Sequence, residues 1–277
     1  MATVGEPTGH TVLFHHGTPG AVNQMRLFAP LVEDGSLYMV TTSRAGYGRS
    51  SRLEGHDVAS VVSDARAALD SLGRDDYVAV GWSGGGPHAL ACAALDATRC
   101  RAAWSLAGVV PATLDFDWTE GMGPENVEEY ALAKRGGPEY ESVMELMGDV
   151  LGAVSGDDIV ETFGGLLSEP DKAVLESDTL RESFAASMRK AFETGWRGFF
   201  DDNGVLMKEW GFDPTTIGVP IAVWFGDRDL SVPRTHGEWL IKNLPTASEH
   251  YYHGEGHFSL WANHFDELAA AINETYV

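Results

Sequence analysis

The chain has 277 residues with 44% apolar content, enough to bury a large core in one domain, or in one domain carrying an insertion. Its formal net charge of −22, from 19 basic and 41 acidic residues, disfavours nucleic acid and anionic membrane surfaces as partners. No apolar run approaches the roughly 20 residues of a membrane span, and Met1 to His10 lacks the positive start and apolar core of a signal peptide, so the expected location is the cytoplasm.

In chain order, Thr11 to Phe14 is a short apolar run that ends at His15-His16-Gly17-Thr18-Pro19-Gly20, and a helical pattern follows from Gln24 to Val32. Leu37 to Thr41 is the next apolar run, closed by Arg44-Ala45-Gly46-Tyr47-Gly48-Arg49-Ser50, with helical spacing from Val58 to Leu72. Tyr77 to Val80 then leads through Gly81-Trp82-Ser83-Gly84-Gly85 into a helix at Pro87 to Leu95, and Ala102 to Leu106 ends at Ala107-Gly108. Strands alternating with helices imply right-handed crossovers and a mostly parallel sheet with helices on both faces, an α/β fold. Cys92 and Cys100 fall at a helix and just after it, and their spacing requires neither a disulfide nor a metal.

The alternation stops from Pro111 to Thr216, where acidic, helical stretches such as Glu125 to Lys134, Glu139 to Leu151 and Thr179 to Phe192 follow one another. Residues 112–216 contain 23 acidic and 8 basic residues, a net of −15, about two thirds of the whole excess. The expected organisation is therefore a core of residues 1–111 and 217–277 interrupted by a helical insertion at 112–216. The rhythm resumes with Ile221 to Phe225, a helix near Thr235 to Asn243, a strand near Glu249 to Tyr252 and a helix near Phe265 to Thr275.

A serine between glycines at a strand-to-helix junction is how a hydroxyl is thrust out of a sheet to act as a nucleophile, and side chains at 81 or 85 would collide with packed neighbours. Ser83 needs a base to take its proton, and His257, in the loop Gly254-Glu255-Gly256-His257-Phe258, is free to reach across the strand ends. A carboxylate must then fix the histidine tautomer, and Asp229 lies in the loop leaving Ile221 to Phe225, with Asp227 as a competitor suited to the turn itself. Charge developing on an acyl oxygen needs backbone donors: the N–H of Gly84 at a helix start, and a second from the first loop, best supplied by Thr18.

These pieces resemble the α/β-hydrolase fold superfamily, which carries its nucleophile, acid and base in the order Ser83, Asp229, His257. The resemblance rests on His16-Gly17-Thr18-Pro19-Gly20, Arg44 to Ser50, Gly81 to Gly85, Gly226 to Pro233 and Gly256-His257-Phe258, and spans nearly the whole chain outside the insertion. It implies that Asp229 rather than Asp227 is the acid, from the pattern G-x-x-D-x-x-x-P, and that 112–216 is a cap over the site. The His16 loop is similar to that of proline iminopeptidases and related esterases. One departure stands out: the residues before His15 are too few for the antiparallel hairpin that often opens this fold, so six or seven strands are expected.

Other residues carry blander expectations. His15 and His16 are expected to brace the loop by hydrogen bonds, His88 to be a packing residue, and Trp82 to divide between core packing and substrate contact. Phe163, Trp196, Phe199, Phe200 and Trp210 are expected to form cap core more than pocket wall. No metal or cofactor is called for by this chemistry. The function expected is cleavage of an ester or amide-type acyl bond in a small molecule or short peptide. Rival readings are N-terminal proline removal with a cap carboxylate receiving the amine, carbon–carbon bond or lactone hydrolysis, and a non-catalytic binding protein of the same fold.

Overall fold

The computed structural model describes all 277 residues. Seven strands form one sheet in the order β1-β3-β2-β4-β5-β6-β7: β1 Ala2–Gly5, β2 His10–His15, β3 Leu37–Thr41, β4 Tyr77–Trp82, β5 Cys100–Leu106, β6 Ile221–Gly226 and β7 Ala247–Tyr252. Every pairing is parallel except β1 with β3, where Ala2 faces Thr41 and Gly5 faces Tyr38. The short N-terminus thus supplies an antiparallel edge strand, but it pairs with β3 and makes no hairpin with β2.

Alternate strand residues feed two cores, as the two-residue period of a strand requires. Val12, Phe14, Val78, Val80 and Trp104 pack with Phe28 and Leu31 and with Leu268 and Ile272 of the C-terminal helix. Leu13, Ala79, Ala103 and Val223 pack on the other face with Ala65, Leu69, Leu90 and Leu240. The helices involved are α1 Val61–Ser71, α2 Gly86–Leu95, α9 Arg234–Asn243 and, on the first face, α11 Phe265–Glu274. The segment Val22–Val32, expected as a helix from Gln24 to Val32, winds as 3-10 turns containing Pro30, whose missing N–H cannot join an α-helical ladder.

Between β5 and β6 run six helices: α3 Pro124–Arg135, α4 Gly137–Ala153, α5 Ile159–Thr162, α6 Glu169–Val174, α7 Asp178–Ala191 and α8 Arg197–Leu206. A third apolar cluster joins Leu132, Tyr140, Met144, Leu151, Phe192 and Phe199 of this segment to Ala21 and Tyr47. Trp210 departs from the expectation for cap aromatics, because it is buried in the cluster that also holds α1 and α2, and its carbonyl accepts a bond from Ala59 N–H. A four-residue helix, α10 Ser259–Ala262, follows His257. No helix is long and apolar enough to cross a membrane.

Candidate active site

β4 ends at Trp82, and Ser83 adopts a left-handed backbone angle, φ +57°, one of only two non-glycine residues with positive φ. Such strain persists only where the surroundings over-determine it. A Cβ at Gly81 would lie 2.1 Å from the Gly85 carbonyl oxygen, and one at Gly85 would lie 2.2 Å from that of His15, so neither position has room for a side chain. The turn therefore holds Ser83 out of the sheet at the head of α2.

His257 and Asp229 arrive from the ends of neighbouring strands. Asp229 Oδ1 accepts from the N–H groups of Ser231 and Val232, which fixes the carboxylate in its turn, and Oδ2 accepts from His257 Nδ1 at 2.8 Å. Both side chains are buried. Burial opposes protonation of His257, but the charge and hydrogen bond of Asp229, with a further contribution from Asp171, raise its pKa above the ordinary imidazole value. Asp227 faces elsewhere: it accepts from Gly254 N–H at 2.8 Å and pairs with His253 Nδ1 at 2.6 Å.

Thr18 and Gly84 sit side by side, since a Cβ on Gly84 would meet the Thr18 Oγ1 at 2.3 Å. The Thr18 N–H makes no hydrogen bond within the protein, whereas that of Gly17 donates to Gln24 Oε1. Behind the loop lies a buried ion pair. Asp202, from α8, accepts from Arg44 Nε at 3.1 Å, Arg44 Nη2 at 2.6 Å, Thr18 Oγ1 at 2.5 Å and the Tyr47 hydroxyl at 3.1 Å. Arg44 also donates to the carbonyls of His16 and Gly17. Burial by itself would push the Asp202 carboxyl up, and Arg44 outweighs it, holding the group well below the usual carboxylate range.

Two further histidines brace this region. His16 donates from Nδ1 to the Gly17 carbonyl and accepts at Nε2 from the Arg44 N–H, and His88 donates from Nδ1 to the Gly84 carbonyl. Burial lowers the pKa of His15, His16 and His88, the last to about 3, so all three are neutral.

Ser83, Gly84, Thr18 and His257 open onto a cavity of about 330 Å³. Its walls are mostly apolar and include Leu146, Met147, Leu151, Phe163, Phe184 and Leu206. Phe163 and Phe199 line it, while Trp196 and Phe200 pack in the third cluster. Trp82 both lines the cavity and is buried, its indole N–H donating to the His257 carbonyl at 3.2 Å. No lysine or arginine lines the cavity, but Glu125 and Glu129 do, one turn apart on α3. Glu129 accepts from Asn203 Nδ2 at 2.6 Å, and burial pushes its carboxyl up to about 7. Sequence reasoning found no mark on Glu129, Asp171 or Asp202, because a single acid among 23 in an acidic segment has no distinguishing spacing.

The family model of the alpha/beta hydrolase fold matches residues 10–132. Epoxide hydrolase A of Mycobacterium tuberculosis is 31% identical over 115 residues, a match that covers 40% of this chain and only 35% of that protein's length. Among solved structures, an alpha/beta hydrolase fold protein from Nakamurella multipartita superposes with a TM-score of 0.65 at 22% identity, over 98% of this chain and 94% of that one. An enol-lactonase from Burkholderia xenovorans superposes with a TM-score of 0.62 at 17% identity, over 99% and 95%. With its seven-stranded, mostly parallel sheet and strand order, the chain has the α/β-hydrolase fold.

Proposed function

We propose that the chain is a serine hydrolase acting on acyl bonds. The observation that carries this reading is the meeting of a strained serine and a histidine, itself bonded to a buried aspartate, on one apolar cavity. In this mechanism His257 Nε2 takes the proton of the Ser83 hydroxyl as Oγ attacks the carbonyl carbon, and Asp229 stabilises the imidazolium. The oxyanion accepts from the N–H groups of Thr18 and Gly84. His257 then gives its proton to the leaving group, and a water deprotonated by the same histidine releases the acid. Residues 112–216 serve as the cap, whose α3, α4 and α8 wall the cavity.

Epoxide opening does not fit this nucleophile. A carboxylate that opens an epoxide forms an ester, which water cleaves, whereas Ser83 would form an ether, which it does not. Esters and lactones give Ser83 an acyl-enzyme that can turn over.

The cavity favours neutral acyl groups of moderate length, because its walls are mostly apolar and a substrate carboxylate would meet Glu125 and Glu129 with no lysine or arginine on the wall. The same two glutamates support a second reading, an aminopeptidase in which they receive the substrate's amine. Labelling with a fluorophosphonate tests the nucleophile: wild type should label on Ser83 and the Ser83→Ala variant should not. An unlabelled wild type would leave a binding protein of this fold. Kinetics with short p-nitrophenyl esters against a proline arylamide separates the two hydrolase readings, since turnover of the arylamide alone would sink the esterase.

A further inference from the structure

Two buried aspartates of the inserted segment reach past its own helices and grip the loops that carry the proposed chemistry. Asp202 takes a hydrogen bond from Thr18 Oγ1, and the same hydroxyl accepts from Arg44 Nη2 at 2.9 Å, so the side chain next to the proposed oxyanion donor is held from two sides. Leu206, one turn along α8, lies over Gly84, with its Cδ1 3.3 Å from where a Cβ would stand. At the other side of the cavity, Asp171 of α6 accepts from the main-chain N–H groups of His257 at 3.0 Å, Phe258 at 2.7 Å and Ser259 at 3.0 Å. Ser168 Oγ donates to the same carboxylate at 2.7 Å. A Cβ on Gly256 would stand 2.2 Å from both Asp171 Oδ2 and Ser168 Oγ, which accounts for glycine there.

We propose that Asp202 and Asp171 are positioning residues, through which the insertion sets the placement of the Thr18 amide and of His257. The inference rests on the serine-hydrolase reading. Its physical basis is that an oxyanion donor or general base displaced by a fraction of an ångström loses transition-state stabilisation while the rest of the binding cavity is unchanged. Asp171 is joined to its loop by three main-chain hydrogen bonds, and Asp202 to its loop directly by Thr18 Oγ1 and indirectly through Arg44; both are shielded from water, so neither loop can drift without breaking charge-assisted hydrogen bonds.

A purely structural role would predict loss of folded protein with kcat per folded molecule unchanged. The proposal predicts a loss in kcat with KM retained. The decisive pair is Thr18→Val, which removes only the hydroxyl at nearly constant volume, and Thr18→Ser, which restores it. Thr18→Val should lower kcat for a p-nitrophenyl ester by about 10-fold or more with KM within about 2-fold, and Thr18→Ser should recover most of the loss. Asp171→Asn, and Ser168→Ala as the milder change at the same site, should slow fluorophosphonate labelling of Ser83 in folded protein. Wild-type labelling together with unchanged kcat in Thr18→Val, or unchanged labelling rates in both Asp171→Asn and Ser168→Ala, overturns the proposal. No label on wild type overturns the hydrolase reading and this inference with it.

Discussion

Asp229 Oδ2 lies 2.8 Å from His257 Nδ1 with both side chains out of solvent, so the carboxylate's charge acts on the imidazole with little screening. That relationship raises the His257 pKa despite the opposing effect of burial. In the proposed mechanism only neutral His257 can take a proton from Ser83, so kcat/KM should fall as pH drops through a midpoint above the ordinary imidazole value of about 6.5. A pH–rate profile checks this, and Asp229→Asn should both cut the rate strongly and move the acid limb downward.

Charge in the cavity makes a second expectation. Wild type should hydrolyse neutral p-nitrophenyl esters well above the half-ester of a dicarboxylic acid of the same length. Glu129→Gln should narrow that gap, and Glu125→Gln combined with it should narrow it further, by about 10-fold in relative kcat/KM. Because burial holds the Glu129 carboxyl near 7, the discrimination should also weaken below that pH, as the group becomes neutral. Competition assays with the two esters at pH 6 and 8 would show it.

Gly85 offers a stability test. Gly85→Ala should cost about 2–4 kcal/mol in urea unfolding, since its Cβ would stand 2.2 Å and 2.7 Å from the carbonyl oxygens of His15 and His16. Gly204→Ala, within α8 and with nothing within 4 Å of the added methyl, should instead stabilise by about 0.5–1 kcal/mol.

Acid stability follows from the histidines. His15, His16, His88 and His236 are buried with lowered pKa values, about 3 for His88 and about 4 for His236. The unfolded chain binds protons at these sites first, so the stability they contribute is present above the unfolded value near 6.5 and is lost as pH falls toward the folded values. The urea midpoint should therefore decline already between about pH 6 and 4, and His88→Gln should flatten part of that decline.

Much of this architecture was legible in the chain because strand, turn and helix each leave a local mark. Gly81 and Gly85 could be read as obligatory from the turn alone, and the crowding at His15 and Gly85 carbonyls supplies the reason. The loop of Asp229 and the glycine-flanked His257 were likewise local signals, and the structure brings the two side chains together. Asp202 was not legible, because its partners Arg44 and Thr18 lie 158 and 184 residues away and only tertiary packing joins them. Helices α5, α6 and α10 were too short, at four to six residues, to show a helical period. Trp210 was assigned to the insertion by position, but its burial against α1 and α2 comes from contacts that no sequence period records.

The absence of any lysine or arginine on the cavity wall bears on how a reaction cycle would end. In the proposed mechanism, hydrolysis at Ser83 would convert a neutral ester into a carboxylate, which would find two glutamates nearby and a protein of net charge −22 around it. A carboxylate product would thus be repelled by the same walls that admit a neutral precursor. Weak product inhibition and fast release of the acid should be built into the site without any moving part.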